Sequence, residues 1–587
     1  MAKMTGSQII VNLLKQNNID TVFGLPGGMI LPLYNELFVS GMKHILVRQE
    51  QAAGFMAQGV ARVTGKAAVC MATSGPGAMN LLTAVADARA DSVPLVAITG
   101  QVNTDLIGTD AFQEADTFGL SFPITKHSMM VKSAKELLTA VPLAFAIAES
   151  GRPGPVLIDV PKNVQTELCE TGDDFEHLFK RIYDEYLKKA GLKKTPESEV
   201  LPLIKKFAGK LLSAKKPVLY IGGGANNPKA SEEIRKFISA FKIPVVSSLM
   251  GLGVVGHKDE RFFGMVGMHG TFAANKAMYE SDCVLVAGAR FDDRATGLVS
   301  KFCPNAVASH CVLQIDIDAA EVNKIIESDF SLIYDVADAF KKLNEEISSH
   351  SLKSEERESW FKKVEDFRAS EKITMKMDCD SSECCGGKTC GRKDGKKYQN
   401  PRELISSLPS NENIIVTTDV GQHQMWTAQY YDTERPRQLL TSGSLGTMGF
   451  GLPAAIGAAF AEPKKRVVCV SGDGSILMNI QELATLAENN LNVTVIVLEN
   501  GALGMVRQQQ EYLFDKNYSA SVFSSNPDFL KVAEGFKIKA VDADSDPDWR
   551  RKAFEKKGPC FVLVKIARYE NVLPFVAAGK ANIDPII

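Results

Sequence analysis

The chain contains 587 residues, of which 45% are hydrophobic and 23% are charged, a usual mixture for a globular protein. At roughly 150 residues per domain, this length predicts three or four domains rather than one core. The net charge of −2 gives no electrostatic basis for binding nucleic acid or an anionic membrane, so neither is an expected partner. The most apolar stretch, 448–461, contains glycines and a proline, and it is shorter than the ~18 residues of a membrane helix.

The N-terminal stretch has four apolar residues at helical spacing, which are Ile9, Ile10, Leu13 and Leu14. It lacks the continuous apolar core and the small-residue cleavage site of a secretion signal, so we predict an amphipathic helix. A cytoplasmic protein is expected, or an organelle-matrix protein if a transit peptide has been removed. Seven of the 11 cysteines are scattered along the chain, and we expect these to be reduced thiols.

Short runs rich in Val and Ile alternate with glycine-rich turns and helical patterns in three segments of the chain. This alternation predicts an α/β fold of three doubly wound parallel-sheet domains. The predicted strands are 67–72, 95–99 and 156–160 in the first segment, 218–221, 245–248, 283–287 and 313–317 in the second, and 414–418, 466–471, 493–498 and 560–565 in the third.

Charged, helical connectors separate the three segments. They place the predicted domains at 1–165, 196–345 and 401–587, with a connector at 346–400. That connector contains a cluster of thiols at Cys379, Cys384, Cys385 and Cys390. Such a cluster could bind zinc or an iron–sulfur cluster, but the paired spacing of metal sites is missing and the surroundings are rich in Gly and Lys. An insertion without a metal is the favoured interpretation.

A glycine-flanked aspartate, Asp473, follows the predicted strand 466–471. Ligands of parallel sheets bind beyond the carboxyl ends of the strands, and Gly472, Gly474 and Ser475 would let backbone amides approach phosphate oxygens there. Asp473 could supply a hard oxygen ligand to Mg²⁺, with the Asn500 amide and the Ala502 carbonyl as further ligands. Alone, the motif could be a simple tight turn. Combined with an Asn after the next strand, it is typical of enzymes that bind thiamine diphosphate.

Glu50 is the candidate for the carboxylic acid that this cofactor requires. It follows an apolar run and precedes further apolar residues, and a Thr-Ser-Gly-Pro-Gly turn at 73–77 ends the next predicted strand. A carboxyl in a water-poor place can hydrogen-bond the aminopyrimidine ring and favour its imino tautomer. A helix-capping or surface glutamate is the alternative. Glu50 and Asp473 lie in different domains, and in this cofactor class they normally come from different subunits.

The chain resembles the catalytic subunits of the acetohydroxyacid synthase (acetolactate synthase) family over nearly its whole length. The matching stretches are 25–28, 73–78, 108–114, 151–155, 159–162, 267–271, 290–294, 443–453 and 571–574. The resemblance implies pyrimidine-binding, central FAD-binding-like and diphosphate-binding domains, the last with a C-terminal lid. It implies decarboxylation of pyruvate and joining of the remaining two-carbon unit to a second 2-oxo acid, giving 2-acetolactate or 2-aceto-2-hydroxybutyrate. This is the first common step of branched-chain amino-acid biosynthesis.

The resemblance also implies roles for individual residues and partners. Glu50 would activate the cofactor, with Phe112, Gln113, Lys162 and Gly28 along the substrate channel. The residues implied at thiamine diphosphate are Gly421, Gln422, His423, Met448 and Met505. Those implied at FAD are Arg152, Gly222, Gly223, Gly224, Met268, His269, Arg290, Asp292, Arg294, Asp316 and Asp335. A homodimer or homotetramer is implied, and a small regulatory subunit would be compatible with it.

One residue departs from the family pattern. Gln509 stands where the family has a Trp that shapes the pocket of the second substrate. Losing this apolar wall predicts a weak preference for 2-oxobutyrate over pyruvate. Three alternatives remain: a pyruvate oxidase or another carboligase or decarboxylase on the same scaffold, a catalytically inactive relative, and a nicotinamide-binding protein. The last is disfavoured because no G-x-G-x-x-G sequence follows a predicted strand.

Overall fold

The computed structural model describes residues 3–350, 354–378 and 398–586. Within them, three six-stranded parallel sheets are flanked by helices, which confirms the predicted α/β class. The cluster Cys379–Cys390 lies outside the described residues, so the prediction made for it stays open. None of the helices in the described ranges is both long enough and apolar enough to cross a membrane.

The first sheet has the strand order β3-β2-β4-β5-β7-β6. Its strands are β2 (Thr21–Gly24), β3 (Lys43–Leu46), β4 (Ala68–Ala72), β5 (Leu95–Gln101), β6 (His127–Met130) and β7 (Pro155–Pro161), and β1 (Lys3–Thr5) pairs separately with β8 (Leu168–Glu170). The helices are α1 (Gly6–Gln16), α2 (Leu31–Val39), α3 (Glu50–Thr64), α4 (Pro76–Ala90), α5 (Thr117–Ser121), α6 (Ala134–Glu149), α7 (Lys162–Thr166) and α8 (Leu178–Lys189). Helix α1 is the amphipathic helix predicted at the N-terminus, and a capping box of Thr5 and Gln8 begins it.

The central sheet has the strand order β11-β10-β9-β12-β13-β14. Its strands are β9 (Pro217–Ile221), β10 (Val245–Ser247), β11 (Phe262–Met265), β12 (Cys283–Ala287), β13 (Val312–Asp316) and β14 (Phe330–Ile333). The helices are α9 (Glu197–Ser213), α10 (Pro228–Ala240), α11 (Phe272–Glu280), α12 (Asp293–Thr296), α13 (Pro304–Ala308), α14 (Val336–Ile347) and α15 (Glu355–Asp378).

The third sheet has the strand order β16-β15-β17-β18-β20-β19. Its strands are β15 (Ile414–Thr418), β16 (Leu439–Leu440), β17 (Arg466–Gly472), β18 (Val493–Glu499), β19 (Lys539–Asp542) and β20 (Cys560–Lys565). The helices are α16 (Pro401–Ser406), α17 (Gln422–Tyr430), α18 (Gly451–Ala461), α19 (Asp473–Ile476), α20 (Leu483–Glu488), α21 (Gly504–Leu513), α22 (Phe529–Gly535) and α23 (Trp549–Phe554).

Helices α3 and α18 hold the first and third sheets together. Their apolar side chains share one core cluster with both sheets. The two backbones touch at glycines: a Cβ on Gly59 would lie 2.2 Å from the Ala454 carbonyl oxygen, and one on Gly457 would lie 1.9 Å from that of Met56. Only glycine permits this approach, and it fixes Glu50, the first residue of α3, relative to the third sheet.

Candidate active site

The carboxyl ends of three neighbouring strands in the third sheet form the centre of the site. Strand β17 pairs with β15 on one side and with β18 on the other, and Gly472 lies opposite Leu498. Asp473 and Asn500, which follow β17 and β18, are therefore at adjacent strand ends, as the sequence predicts.

Asp473 is held in a fixed orientation by its hydrogen bonds. Its Oδ1 accepts from the Gly474 amide at 3.0 Å, and its Oδ2 accepts from the Gly501 amide at 2.7 Å and from Asn526 Nδ2 at 2.9 Å. The side chain is buried, and this burial raises its pKa to about 6. A bound cation would offset that effect by favouring the ionised carboxylate.

The amide side chains of Asn500 and Gln422 meet beside Asp473. Asn500 Nδ2 donates to Gln422 Oε1 at 3.2 Å, and Asn500 Oδ1 accepts from the Ala502 amide at 3.0 Å. Among the described residues, no group of three or more His, Cys, Asp and Glu side chains could hold a metal. Any metal here would therefore depend on one carboxylate, amide and backbone oxygens, and ligands from the bound molecule, which is a pattern that suits Mg²⁺.

Glycines keep the floor of this site open. A Cβ on Gly472 would lie 2.8 Å from His423 Nδ1, and one on Gly421 would lie 2.8 Å from His423 Cε1. Burial lowers the pKa of His423 to about 3, so its ring is neutral. Its Nε2 is buried without a hydrogen-bond partner in the protein. An orphaned polar atom beside a glycine cradle fits a bound polar group such as a diphosphate.

Asp419, which our sequence analysis did not select, connects the parts of this floor. Its Oδ1 accepts from the Gly449 amide at 2.7 Å and from the Val420 amide at 3.1 Å, and its Oδ2 accepts from Ser471 Oγ at 3.2 Å. Asn479 Nδ2 also donates to the Gly449 carbonyl, at 2.8 Å. Met448, the residue before Gly449, is thus positioned by two buried side chains.

Asp87 on helix α4 and Asp91, which follows its last residue, hold the loop before Met448. They too were absent from our prediction. Asp91 accepts from the amides of Gly443 at 2.9 Å and Ser444 at 2.8 Å. Asp87 accepts from the hydroxyls of Ser442 and Thr447. These bonds attach the first sheet's domain to the loop that leads into the site.

One cavity of about 780 Å³ extends from these strand ends to the central sheet. Gln509, the residue that departs from the family pattern, also lines it. The predicted residues that line the cavity are Gly421, Gln422, His423, Met448, Gly472, Asp473, Gly474, Ser475, Asn500, Ala502 and Met505 at one end, and Arg152, Gly223, Gly224, Met268, His269, Arg290, Asp292, Arg294, Asp316 and Asp335 at the other.

The glycine turn after β9 differs from a simple phosphate cradle. Gly222 does not line the cavity, and a Cβ there would lie 2.2 Å from the Gly288 carbonyl oxygen. The Gly222 and Gly224 amides donate to the carbonyls of Ala287 and Gly288. Two of the three glycine amides are thus used inside the protein, and the turn serves mainly to bring β9 close to β12.

Charged side chains at the central end of the cavity are anchored by the surrounding protein. Arg290 donates to the Ala90 carbonyl at 2.8 Å and to Ser444 Oγ at 2.6 Å. Arg152 donates to Ser92 Oγ at 2.8 Å. Burial raises the pKa of Asp316 to about 6 and lowers that of His269 to about 4.

Asp292 and Asp335 both begin helices. Asp292 Oδ1 accepts from the Ala295 amide at 3.1 Å, and Asp335 Oδ1 accepts from the Ala337 amide at 2.8 Å. Arg294, beside Asp292, is largely exposed and lies 3.9 Å from the sulfur of Met268.

The C-terminal segment packs against α21 and His269, which both line the same cavity. Gln508 on α21 donates to the Val572 carbonyl at 2.9 Å and accepts from the Val572 amide at 2.8 Å. Arg507 is fully buried and bonds to Asn571. Phe575 stacks on His269 with a ring separation of 5.6 Å. The segment implied to be a lid is thus tied to α21 and to the central sheet.

The first-sheet candidates form a separate group. None of Gly28, Glu50, Phe112, Gln113 and Lys162, all within the described part of the chain, lines the cavity. Glu50 is buried, and its Oε2 accepts from Asn80 Nδ2 at 3.0 Å. A Cβ on Gly77 would lie 3.3 Å from Glu50 Oε1, so the 73–77 turn adjoins the carboxylate.

The loop 102–116 belongs to this second group. The Glu114 carboxylate accepts from the amides of Gly108 and Ala111, which folds the predicted motif onto itself. Gln113 adopts a φ of 60°, and its carbonyl oxygen would lie 2.7 Å from a Cβ on Gly75. Phe112 is 83% exposed. Phe112 therefore lies at the surface, in a loop that adjoins the 73–77 turn beside Glu50.

Lys162 is next in the chain to Asn163, which bonds to the loop 102–116. Asn163 Oδ1 accepts from the Thr104 amide at 3.0 Å, and Asn163 Nδ2 donates to Thr104 Oγ1 at 3.0 Å. Helix α7, which begins at Lys162, is thereby joined to the loop that carries Phe112 and Gln113.

Comparison with known proteins identifies the family of this chain. Three models of the thiamine pyrophosphate enzyme family match the chain: the N-terminal TPP binding domain over 4–120, the central domain over 204–343, and the C-terminal TPP binding domain over 419–564. The large subunit of acetolactate synthase isozyme 1 from Escherichia coli (strain K12) is 43% identical, covering 100% of this chain and 98% of that protein. The isozyme 2 large subunit of the same organism is 40% identical, covering 99% and 98%. The probable acetolactate synthase large subunit of Methanococcus aeolicus is 41% identical, covering 92% and 88%. The chain belongs to the thiamine pyrophosphate enzyme family and, within it, to the acetolactate synthase large subunits.

Proposed function

We propose that the chain is the catalytic subunit of an acetolactate synthase that uses thiamine diphosphate, Mg²⁺ and FAD. It decarboxylates pyruvate and joins the remaining two-carbon unit to a second 2-oxo acid, giving 2-acetolactate, or 2-aceto-2-hydroxybutyrate from 2-oxobutyrate. The observation that carries this proposal is the cavity in which Asp473, Asn500 and the orphaned His423 Nε2 meet at neighbouring strand ends.

The residues present fit a magnesium diphosphate. Asp473 offers a pre-oriented carboxylate, Asn500 an amide oxygen and Ala502 a carbonyl oxygen, while Gly472 and Gly474 leave room for phosphate oxygens. Gln422, His423, Ser475 and Met505 would complete the diphosphate end, and Met448 would support the thiazolium ring.

When bound, thiamine diphosphate supplies a carbon nucleophile and an electron sink for decarboxylation. The protein's part is to activate, orient and exclude water. Glu50 would hold a proton at its carboxyl oxygen against the aminopyrimidine ring, and its burial keeps competing water away. Gly28, Phe112, Gln113 and Lys162 would orient the two 2-oxo acids.

FAD would occupy the central end of the cavity. Arg152, Arg290 and Arg294 would supply positive charge for its phosphates. Asp316 is the last residue of β13 and Asp335 directly precedes α14, and ribose hydroxyls could bond to these two carboxylates. Because Gly222 and Gly224 already use their amides internally, Gly223 would be the one glycine of this turn left to approach a phosphate. The flavin would have a structural role, since the proposed reaction involves no net redox change.

Product analysis tests the proposed reaction. The protein is incubated with thiamine diphosphate, Mg²⁺ and pyruvate, with and without 2-oxobutyrate and FAD. We expect 2-acetolactate and CO₂ from pyruvate alone, and both products from the mixture. Reduction of the flavin by pyruvate at the turnover rate would instead indicate a pyruvate oxidase.

We further propose that two copies share each site, with Glu50 of one chain serving Asp473 of the other. This is supported by the position of Glu50 outside the cavity that Asp473 lines. The three domains would be 1–165, 196–345 and 401–587, with 346–400 as a connector. Because its relatives bear the name large subunit, we also propose a smaller regulatory partner.

Complementation between two inactive variants tests the shared site. Glu50→Gln and Asp473→Ala chains are mixed so that dimers containing one of each form. In a mixed dimer with shared sites, one site combines the intact Asp473 of one chain with the intact Glu50 of the other. We expect activity to return on mixing. Two variants that stay inactive, despite mixed dimers shown by differently tagged chains, would mean that each chain builds its own site.

A further inference from the structure

Glu482 is a buried carboxylate that the site described above does not use. It ends the short turn after α19, in the domain of the third sheet, and it is 0% exposed. Its Oε1 accepts from the Arg48 amide at 2.8 Å, although the two residues are 434 positions apart. Its Oε2 accepts from Thr485 Oγ1 at 2.7 Å.

These partners place the carboxylate at the beginning of helix α3. Arg48 and Gln49 directly precede Glu50, the first residue of that helix. Gln49 occupies the N-cap position, but its own side chain makes no capping bond. The first turn of α3 thus takes its anionic partner from another domain, where a carboxylate near a helix N-terminus is favourable.

A second contact of the same segment strengthens this link. The Thr485 hydroxyl, whose proton bonds to Glu482, also lies 3.3 Å from the Leu46 carbonyl oxygen. The backbone on the N-terminal side of Glu50 is therefore held at the Arg48 amide and contacted at the Leu46 carbonyl. On its other side, Glu50 is held through its carboxylate by Asn80. No bond described for Glu482 reaches the cavity, so its part in the reaction would be to fix where Glu50 stands.

We propose that Glu482 is a positioning residue for Glu50, acting through the Arg48 amide. The proposal rests on the proposed function, in which Glu50 activates the cofactor bound by a second chain. Glu482→Ala removes the acceptor of the Arg48 amide, whereas Glu482→Gln keeps an oxygen for that amide and an N–H that can donate to Thr485 Oγ1. In the Glu482→Ala variant the first turn of α3 then loosens, and the Glu50 carboxyl is no longer held in place.

The first test needs no activity measurement. Hydrogen-exchange mass spectrometry on the cofactor-free protein follows the peptide that contains residues 46–53. We expect Glu482→Ala to speed exchange of this peptide at least about tenfold, because the Arg48 amide loses its acceptor, and we expect Glu482→Gln, which keeps that acceptor, to stay near the unchanged rate. Glu488→Ala is the matched control, since Glu488 pairs with the Arg48 guanidinium at the exposed surface and not with the backbone. Unchanged exchange in Glu482→Ala would overturn the proposal.

The second test asks which chain carries the defect. In the mixed dimer of Glu50→Gln and Asp473→Ala chains, the one working site takes its Glu50 from the Asp473→Ala chain. Glu482→Ala is introduced into either chain in turn. We expect roughly a tenfold loss of kcat when it lies in the Asp473→Ala chain, with little change in the other chain. The KM for thiamine diphosphate should stay within about twofold in both.

The outcomes separate the two proposals. If the mixed dimer has no activity before Glu482 is changed, the shared site itself is wrong. If the dimer is active but Glu482→Ala acts equally in both chains, or only in the chain that supplies Asp473, then Glu482 does not act through Glu50. Thermal unfolding of each variant identifies a general loss of folding, which would affect both placements alike.

Discussion

The strand ends of the third sheet and those of the first sheet are built for different tasks. In the third sheet, Asn500 bonds to Gln422, and Asp473 accepts from the amide of Gly501, the residue after Asn500. Asp473, Asn500 and Gln422 all line one cavity. In the first sheet, Glu50 and the exposed Phe112 lie outside that cavity. Both sheets are parallel and six-stranded, so the fold alone does not distinguish them. One set of strand ends forms a cavity within the chain, and we propose that the other supplies residues to a second copy.

The largest expected effect follows from replacing Glu50, the buried carboxylate in the domain of the first sheet. Glu50→Gln should lower kcat roughly 100-fold or more, because general acid–base groups contribute factors of this size. Binding of thiamine diphosphate should change little, since the proposed diphosphate site lies at the strand ends of the third sheet and Glu50 does not. Steady-state kinetics and calorimetric titration measure the two quantities. Full activity in this variant would show that the reaction does not need Glu50. It would also contradict the proposed division of tasks between the first and third sheets.

A smaller effect is expected from replacing Asp419, whose carboxylate joins neighbouring strand ends of the third sheet. Asp419→Ala removes the acceptor for the Gly449 amide and the Ser471 hydroxyl. Met448 and Gly472 should then lose their alignment, lowering kcat roughly 10- to 50-fold. Asp419→Asn keeps an oxygen for Gly449 and a donor for the Ser471 hydroxyl, so it should recover most of the loss. Equal activity of the Ala variant and the unchanged protein would contradict this role.

The next effect concerns the choice of the second substrate. Gln509 on α21 lines the cavity from the third-sheet side. Gln509→Trp would add an apolar wall, and we expect the ratio of 2-aceto-2-hydroxybutyrate to 2-acetolactate to rise by up to about tenfold. Gln509→Leu is the control for apolar character without aromatic size, and it should shift the ratio less. The ratio is read from competition between 2-oxobutyrate and pyruvate. A strong preference for 2-oxobutyrate in the unchanged protein would contradict the interpretation of Gln509.

The predictability of the fold follows the position of the strands in each sheet. Every strand predicted from the sequence is present, with its ends displaced by at most two residues. The predicted strands are interior ones, such as β5 and β12, whose fully buried residues form continuous apolar runs. The missed strands are the edges of the sheets together with β2. An edge such as β19 is partly exposed, and its mixed pattern resembles that of a loop.

The predictability of the site depends on the distance between its parts in the sequence. Asp473 and Asn500 were predictable because a local motif and the next strand end identify them. Asp419 had the same signal, an Asp directly after a strand, and it could have been found. Asp87 and Glu482 could not, because their partners lie 355 and 434 positions away, and nothing in one sequence reports such pairs.

The smallest expected effect concerns a buried carboxyl behind the first sheet's exposed loop. Asp159 accepts from Thr99 Oγ1 at 2.7 Å and from Gln101 Nε2 at 3.0 Å, and Gln101 also bonds to the Ala115 carbonyl in the loop that carries Gln113. Burial raises the pKa of Asp159 to about 7. The unfolded chain releases this proton near pH 4, whereas the folded protein releases it only near pH 7. The free energy of unfolding therefore falls as pH rises from about 4 to 7.

Asp159→Asn should remove that dependence, because an Asn can accept from Gln101 and donate to the Thr99 hydroxyl without ionising. Relative to this variant, the unchanged protein should lose stability between pH 5.5 and pH 8, by about 2 °C or more in Tm. Thermal unfolding at several pH values measures the difference between the two proteins, which cancels the other titrating groups. A difference in Tm that is constant across this range would mean that Asp159 binds the same number of protons in the folded and the unfolded protein, and it would contradict the raised pKa of Asp159.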